Sequence, residues 1–311
     1  MQIAVLGMGN MGRALACRLA AQGQQVRVWN RTPGRAGEAV AAGAVEERSP
    51  DEAARGCEAV IMSLADDEAA LAVMGRLAEA ASGAKRSGAN GSGPDTAGAD
   101  GPVVVDMSTV APGTSRRLAE LAPGHRFVAA PIIAAPVTVA AGRASGLLGG
   151  ERRLVDRLEP LWCRLFEAHW YCGEDPGRAT TFKLLNNYLL MAGIALIAEV
   201  VATAEAAELD TKLLREVLDQ WPTVPIAVRN RIDDIIGGEH QGWFSTRLGA
   251  KDVRHVVAAA EAGGLALPIA RLVGQRYERA AELCGEGADI GAVVEVLRAE
   301  RRAGRRADGD D

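Results

Sequence analysis

The chain opens with a short apolar run that leads directly into three spaced glycines. Residues 2–6 read QIAVL, and Gly7, Gly9 and Gly12 follow within the sequence GMGNMG. These glycines permit, in order, a tight turn, a close backbone approach to a ligand and close packing of a helix. A helical pattern covers 11–22, so a strand, a glycine turn and a helix N-terminus predict a site for a dinucleotide pyrophosphate. The predicted contacts are Gly7, Met8, Gly9, Asn10, Met11 and Gly12.

The alternation of strand and helix patterns continues through the first half of the chain. Further strand-like runs are QVRVW, AVIMSL, VVVDMS and RFVAAPI, and helical patterns at 34–43, 66–81 and 113–121 separate them. Such alternation is typical of a parallel sheet with helices on both faces. From about Gly177 onward only helical patterns occur, at 178–207, 210–221, 224–236, 245–263, 267–285 and 289–301. We therefore predict an α/β chain in which a Rossmann-type, doubly wound parallel sheet is followed by an all-α C-terminal domain.

The end of the second strand pattern indicates which dinucleotide binds. An NAD-preferring site usually has an Asp or Glu there to accept the ribose hydroxyls, but the sequence from Met1 to Gly37 contains no carboxylate. Asn30, Arg31 and Thr32 follow the strand instead. The guanidinium of Arg31 can pair with a 2′-phosphate, and its two neighbours can donate hydrogen bonds. The sequence favours NADP(H).

The length of 311 residues favours two domains. We predict a Rossmann NADP-binding domain over residues 1–175, an all-helical substrate domain over 176–302, and a flexible tail over 303–311. Residues 82–101 are rich in glycine and poor in large apolar side chains, which predicts a flexible surface loop.

The composition argues against several classes of partner. A net charge of -5 with 24% charged residues is unsuited to binding nucleic acid. The N-terminal sequence lacks the pattern of a signal peptide, and the longest uncharged apolar run, 184–198, is short for a membrane span. The five cysteines are scattered without a CxxC pair, which favours neither a disulfide framework nor a metal site. We expect a cytoplasmic enzyme without a metal.

One lysine interrupts an otherwise apolar helical pattern. If 178–207 is a single helix, Lys183 and Asn187 lie one turn apart on the same face. A surface lysine that extends its ammonium group into water is the alternative, but the amide beside it favours a site. An ammonium and an amide can together hold a carbonyl oxygen, and desolvation makes the ammonium a better proton donor.

Four motifs make the chain resemble the β-hydroxyacid dehydrogenase family. They are GMGNMG with NRT, DMSTVAP at 106–112, GRATTFKLLNN at 177–187 and GWFSTRLGAKD at 242–252. The resemblance implies that Lys183 is the catalytic lysine and Asn187 its partner. It implies a dimer or tetramer in which the long helix packs against a second subunit, so that 176–302 is also a dimerisation domain, and we expect a homodimer. It also implies cofactor contacts from Leu64, Ala65, Ser108, Thr109 and Lys251.

One stretch departs from the family's pattern. Where the family usually reads Asp-Ala-Pro-Val-Ser-Gly-Gly, this chain reads AAPIIAAPV at 129–137, without the acid, the serine or the glycines. A substrate carboxylate beside Ile133 would lose a hydrogen-bonding partner. We therefore expect a neutral or largely apolar substrate, bound by a wall of Ile132, Ile133 and Ala134. Trp243 can line the same site or be a core aromatic.

The same stretch resembles the related imine reductases, which tend to share Ala130, Ile132, Ala134 and Pro136 but usually carry Asp or Tyr where Lys183 stands. The lysine favours NADPH-dependent reduction of an aldehyde or ketone. An imine reductase or reductive aminase is the alternative. A non-catalytic NADPH-binding scaffold is the alternative of another class.

Overall fold

The structure is a computed structural model that describes residues 1–86 and 101–307. It divides into two compact units, Met1–Lys183 and Leu184–Asp311. The sequence places the domain boundary after residue 175, just before a long helix, whereas the two units divide within that helix.

The first unit is built on a sheet whose described residues form nine strands. These are β1 (Gln2–Leu6), β2 (Gln25–Trp29), β3 (Val45–Glu46), β4 (Ala59–Met62), β5 (Val103–Asp106), β6 (Phe127–Ala129), β7 (Ile132–Ile133), β8 (Ala144–Gly150) and β9 (Phe166–Gly173). The order is β3-β2-β1-β4-β5-β6-β8-β7, and β9 also pairs with β8. All pairs from β3 to β6 are parallel, which confirms the predicted parallel sheet. At the far end β8 runs antiparallel to β6 and β7, so the sheet is mixed there.

Helices cover both faces of this sheet. They are α1 (Asn10–Ala21), α2 (Gly37–Ala41), α3 (Pro50–Ala54), α4 (Asp67–Arg86), α5 (Pro112–Leu121), α6 (Pro136–Ala140), α7 (Arg152–Arg157) and α8 (Glu159–Leu165). Successive strand residues point to opposite faces, so Ile3 and Val5 join one hydrophobic core while Ala4 and Leu6 join another. Burial on both faces explains why the central strands β4 and β5 are almost wholly apolar, whereas β2, which reads QVRVW, alternates.

The predicted loop at 82–101 needs a correction at its start. Helix α4 continues to Arg86, so residues 82–86 are helical. Residues 87–100 of that prediction lie outside the described residues.

The second unit is helical, as predicted. The long helix α9 (Pro176–Ala206) enters it from the first unit, and α10 (Thr211–Gln220), α11 (Ile226–Arg229), α12 (Ile232–Gly237), α13 (Thr246–Ala262), α14 (Pro268–Cys284) and α15 (Val293–Ala307) follow. The pattern at 224–236 divides into two short helices. Residues 303–307 of the predicted tail belong to α15, and 308–311 lie outside the described residues.

Helix α9 has two contrasting faces. Met191, Ile194 and Val201 pack in the core of the second unit, whereas Leu189 is 74% exposed and Leu196 is 63% exposed. Among the described helices, α9 is the one long and apolar enough to cross a membrane by length and composition. The apolar residues of α9 are therefore divided between a buried face and a solvent-exposed face.

Candidate active site

The glycine turn after β1 has the shape that a pyrophosphate needs. Gly7 adopts a φ of 101°, and a Cβ there would overlap the carbonyl oxygen of Ser63. A Cβ on Gly12 would overlap the carbonyl oxygen of Gly7. By contrast, no heavy atom of the described chain lies within 4 Å of where a Cβ on Gly9 would stand. Gly9 is the N-cap residue of α1, so this open space faces a helix N-terminus, and the residues present fit a pyrophosphate.

Asn30 braces the glycine turn. Its Oδ1 accepts a hydrogen bond from the Met8 amide at 2.9 Å, and its Nδ2 donates to the Thr32 carbonyl at 2.7 Å. The Asn30 amide is therefore engaged within the protein, and a role in phosphate binding stays a prediction. Arg31 and the Thr32 side chain are exposed at the end of β2, and their contact with a 2′-phosphate stays a prediction.

The ends of β4 and β5 are tied together next to the glycine turn. The Ser108 hydroxyl accepts a hydrogen bond from the Leu64 amide at 2.9 Å, and the Ser108 amide donates to Asp106 at 3.1 Å. Ser108 is buried, whereas Leu64, Ala65 and Thr109 keep some exposure. Since β1, β4 and β5 are parallel neighbours, their carboxyl ends meet at one edge of the sheet, where nucleotides bind in open α/β sheets. The predicted cofactor residues of the first unit therefore lie together.

The start of α9 is anchored to α5. The Asp175 carboxylate accepts a hydrogen bond from the Gly177 amide at 2.9 Å and pairs with Arg116 at 2.9 Å. The hydrogen bond from Arg116 lowers the pKa of Asp175 below its ordinary value. This cap fixes the first turn of the helix that carries Lys183, which is half-buried.

Asn187 lies one turn beyond Lys183 and belongs to a polar cluster in the second unit. Its Nδ2 donates to Asp252 Oδ2 at 2.7 Å, and its Oδ1 accepts from Asn186 at 3.2 Å. The other oxygen of Asp252 pairs with Lys251 Nζ at 3.1 Å. Lys251, predicted as a cofactor contact, and Asn187, predicted as a catalytic partner, are therefore joined by one carboxylate.

Asp252 and Asn186 were missed at the sequence level. Both stand inside quoted motifs, Asp252 as the last residue of GWFSTRLGAKD and Asn186 beside Asn187. The sequence signal for Asp252 was its position directly after Lys251. A buried carboxylate can accept hydrogen bonds from an ammonium group and from an amide.

The predicted substrate wall separates into a buried and a partly exposed portion. Ile132 is 3% exposed and packs in the core on one face of the sheet, while Ile133 lies against the core on the other face. The two residues pair with Gly146 and Ser145 of β8. Only Ile133 and Ala134 of the three keep partial exposure, so the Ile132 side chain serves packing and its substrate contact is not supported.

Trp243 packs within the second unit. Its ring stacks on Phe244 with centroids 5.8 Å apart, and the guanidinium of Arg231 lies 5.0 Å above it. Arg231 is in turn held by Asp289 at 2.6 Å. Trp243 keeps partial exposure, so both alternatives stay predictions.

The fold and the glycine turn define a dinucleotide-dependent oxidoreductase. Residues 2–169 match the family model described as the NAD binding domain of 6-phosphogluconate dehydrogenase. Residues 177–297 match a second model, described as NAD-binding of NADP-dependent 3-hydroxyisobutyrate dehydrogenase. The chain belongs to the β-hydroxyacid dehydrogenase family, and it is an NAD(P)-dependent oxidoreductase of the 3-hydroxyisobutyrate dehydrogenase type.

Three proteins illustrate the likeness along the whole chain. Glyoxylate/succinic semialdehyde reductase 1 of Arabidopsis thaliana is 26% identical over 306 residues, which cover 97% of this chain and 100% of the relative. The structure of 3-hydroxyisobutyrate dehydrogenase of Mycobacterium tuberculosis with L-serine is 25% identical with a TM-score of 0.77, covering 95% of this chain and 98% of the other. The imine reductase of Streptomyces aurantiacus is 25% identical with a TM-score of 0.60, covering 96% and 99%.

Proposed function

We propose that this protein reduces an aldehyde or ketone with NADPH and that Lys183 donates the proton. The observation that carries the proposal is the placement of Lys183 and Asn187 one turn apart on α9, with the Asn187 amide held by Asp252 at 2.7 Å. The names of the relatives support it, since one of them is a glyoxylate/succinic semialdehyde reductase.

The cofactor supplies a hydride to the carbonyl carbon when it is bound. The amides of the glycine turn and the N-terminus of α1 would hold the pyrophosphate, and Arg31 with Thr32 would hold the 2′-phosphate. Lys183 Nζ gives its proton to the carbonyl oxygen as negative charge develops there. Asn187 donates one Nδ2 hydrogen to Asp252 and donates the second to the carbonyl oxygen of the substrate. The partly exposed Ile133 and Ala134 favour a substrate that is neutral beside them.

Replacement of Lys183 tests the mechanism. Lys183→Ala is expected to lower kcat by about 10²- to 10⁴-fold, the usual range for loss of a general acid, while the dissociation constant of NADPH stays unchanged. Lys212→Ala removes an exposed lysine from α10 and serves as the matched control. Full turnover by Lys183→Ala would refute the proton donor. A scaffold would instead bind NADPH in the wild type without turning over any substrate offered.

Imine reduction is the second candidate function, and the stretch at 129–137 is the observation that favours it. The likeness to an imine reductase structure supports it as well. Rates of NADPH oxidation with a cyclic imine, an aldehyde acid and an apolar ketone separate the candidates. We expect the ketone or aldehyde to be fastest, and an imine that is faster by tenfold or more would reverse the order of the two proposals.

We also propose that the exposed face of α9 contacts a second copy of the chain. The residues Phe182, Leu185, Leu189, Leu196 and Val200 are exposed and share one side of the helix. Light scattering should give the mass of a dimer for the wild type and of a monomer for Leu189→Glu. Ile226→Glu changes a side chain on α11 that is even more exposed than Leu189, and this variant should stay dimeric. A monomeric wild type would contradict the proposal.

A further inference from the structure

A cleft of about 360 Å³ lies beside the glycine turn in the first unit. The residues that line it include Met8, Asn10, Arg13, Arg35 and Glu38. Two guanidinium groups and a helix N-terminus therefore surround the cleft together with one carboxylate. The two guanidinium groups and the helix N-terminus attract an anion, whereas the carboxylate repels one.

Arg13 and Glu38 form an ion pair in this cleft. The distance from Arg13 Nε to Glu38 Oε2 is 3.4 Å, and Arg13 also donates to Asn10 Oδ1 at 3.3 Å. The Arg13 side chain is 35% exposed, whereas that of Glu38 is 70% exposed. A pair as open to solvent as this one is weak, so a stronger anion can displace Glu38.

The position of Glu38 indicates which anion that is. Glu38 stands in the first turn of α2, directly after the turn that follows β2 and carries Arg31. The guanidinium of Arg13 thus lies beside the segment that follows β2, and the adenosine ribose of a dinucleotide binds at the end of that strand in this fold. A pyrophosphate, in contrast, lies over the axis of α1.

We propose that Arg13 is a further ligand of the adenosine 2′-phosphate and that Glu38 competes with this phosphate for it. A 2′-phosphate carries more negative charge and more acceptor oxygens than one carboxylate, so it displaces Glu38 from Arg13. The ribose hydroxyl of NADH carries no charge and leaves the ion pair between Arg13 and Glu38 intact. Arg13 then adds to the preference for NADPH, and Glu38 limits it. The inference rests on the NADPH preference proposed above.

The test measures dissociation constants of the full-length protein for NADPH, NADH and 2′-AMP by calorimetry, without any turnover. Arg13→Ala is expected to weaken NADPH and 2′-AMP by about tenfold, as loss of a charge-assisted hydrogen bond does, and NADH by less than about twofold. Glu38→Gln is expected to tighten NADPH and 2′-AMP by about threefold, because an exposed pair is weak, and to leave NADH unchanged. In the double variant the gain from Glu38→Gln should disappear, since its target is absent.

Glu120→Gln is the matched control. Glu120 pairs with Arg117 at 2.7 Å on the exposed side of α5, so this change removes the same charge from a similar pair elsewhere in the unit. If Glu38→Gln behaves like Glu120→Gln, the competition is refuted. If Arg13→Ala weakens NADH as much as NADPH, Arg13 binds the shared pyrophosphate and the proposal is wrong.

The wild type separates this proposal from the one on which it rests. Equal affinities for NADPH and NADH, with a gain for NADPH in Glu38→Gln, would refute the proposed preference and support the competition. A clear preference for NADPH that neither variant changes would support the preference and refute the role of Arg13 and Glu38.

Discussion

The glycine turn after β1 and the stretch after β6 lie at the same edge of one sheet, yet they present different chemistry. The first has open space above Gly9 and the amides of a helix N-terminus. The second has only alanine, proline, isoleucine and valine from Ala129 to Val137, and the N-cap residue of its short helix is Ala135. The fold thus decides where each part of a ligand can lie, while the side chains at each strand end decide which group binds there.

The largest expected effect concerns the open space above Gly9. If no ligand occupies that space, the proposed difference between the two regions is refuted. Gly9→Ala is expected to fold normally but to weaken NADPH by about 100-fold, since overpacking at a tight contact costs up to about 3 kcal/mol. Calorimetry measures the affinity, and thermal unfolding without cofactor checks the fold.

Gly113→Ala is the control for that change, because a Cβ on Gly113 also meets no heavy atom of the described chain within 4 Å. It should keep both stability and affinity. Unchanged NADPH affinity in Gly9→Ala would remove the pyrophosphate from this position.

The second region can be tested by restoring the missing polarity. Ile133→Ser is expected to raise kcat/KM for an aldehyde that carries a carboxylate by about tenfold, because one hydrogen bond to a charged group contributes roughly that factor. The ratio of rates for the acid and for an apolar ketone is the measurement.

Val137→Ser changes an exposed residue in the same stretch and should leave the ratio as it is. If Ile133→Ser also leaves the ratio of rates unchanged, Ile133 does not face the substrate.

A third strand end, after β9, has a carboxylate that serves structure. Asp175→Asn keeps an acceptor for Gly177 but loses the charge that pairs with Arg116, so the free energy of unfolding should fall by about 0.5 kcal/mol at pH 7. The Arg116 hydrogen bond lowers the pKa of folded Asp175. The stabilisation is therefore present above the unfolded pKa of about 4 and is lost as the pH falls through the lower folded value.

Denaturant unfolding of both proteins between pH 7 and pH 3 checks this prediction. The two curves should converge toward acid. A difference that is constant with pH would mean that the ion pair contributes nothing and that only the cap is affected.

The sequence predicted what depends on local pattern. The glycine turn, the alternation of strands and helices and the long α9 all follow from residues close together in the chain. The short elements β3 and α3 were not predicted, because two and five residues carry too little periodicity. Nor could the sequence indicate that adjacent Ile132 and Ile133 face opposite sides of the sheet, since that depends on the pairing of β7 with β8.

Contacts between distant residues account for the rest of what was missed. The brace from Asn30 to Met8 spans 22 residues, and the bond from Asn187 to Asp252 spans 65. Neither can be derived from residue spacing. Both residues were assigned to ligands at the sequence level, and the structure adds an internal partner for each.

The bond between Asn187 and Asp252 runs in one direction only, because the amide nitrogen gives a hydrogen and the carboxylate accepts it. An exchange of Asn187 for Asp, which hardly changes size, would bring two buried acceptors within 2.7 Å of each other. One of them would have to carry a proton for the cluster to survive. An aspartate is therefore not tolerated at this position in spite of its similar shape. The need for a hydrogen-bond donor, rather than side-chain volume, restricts which residue can stand one turn beyond Lys183.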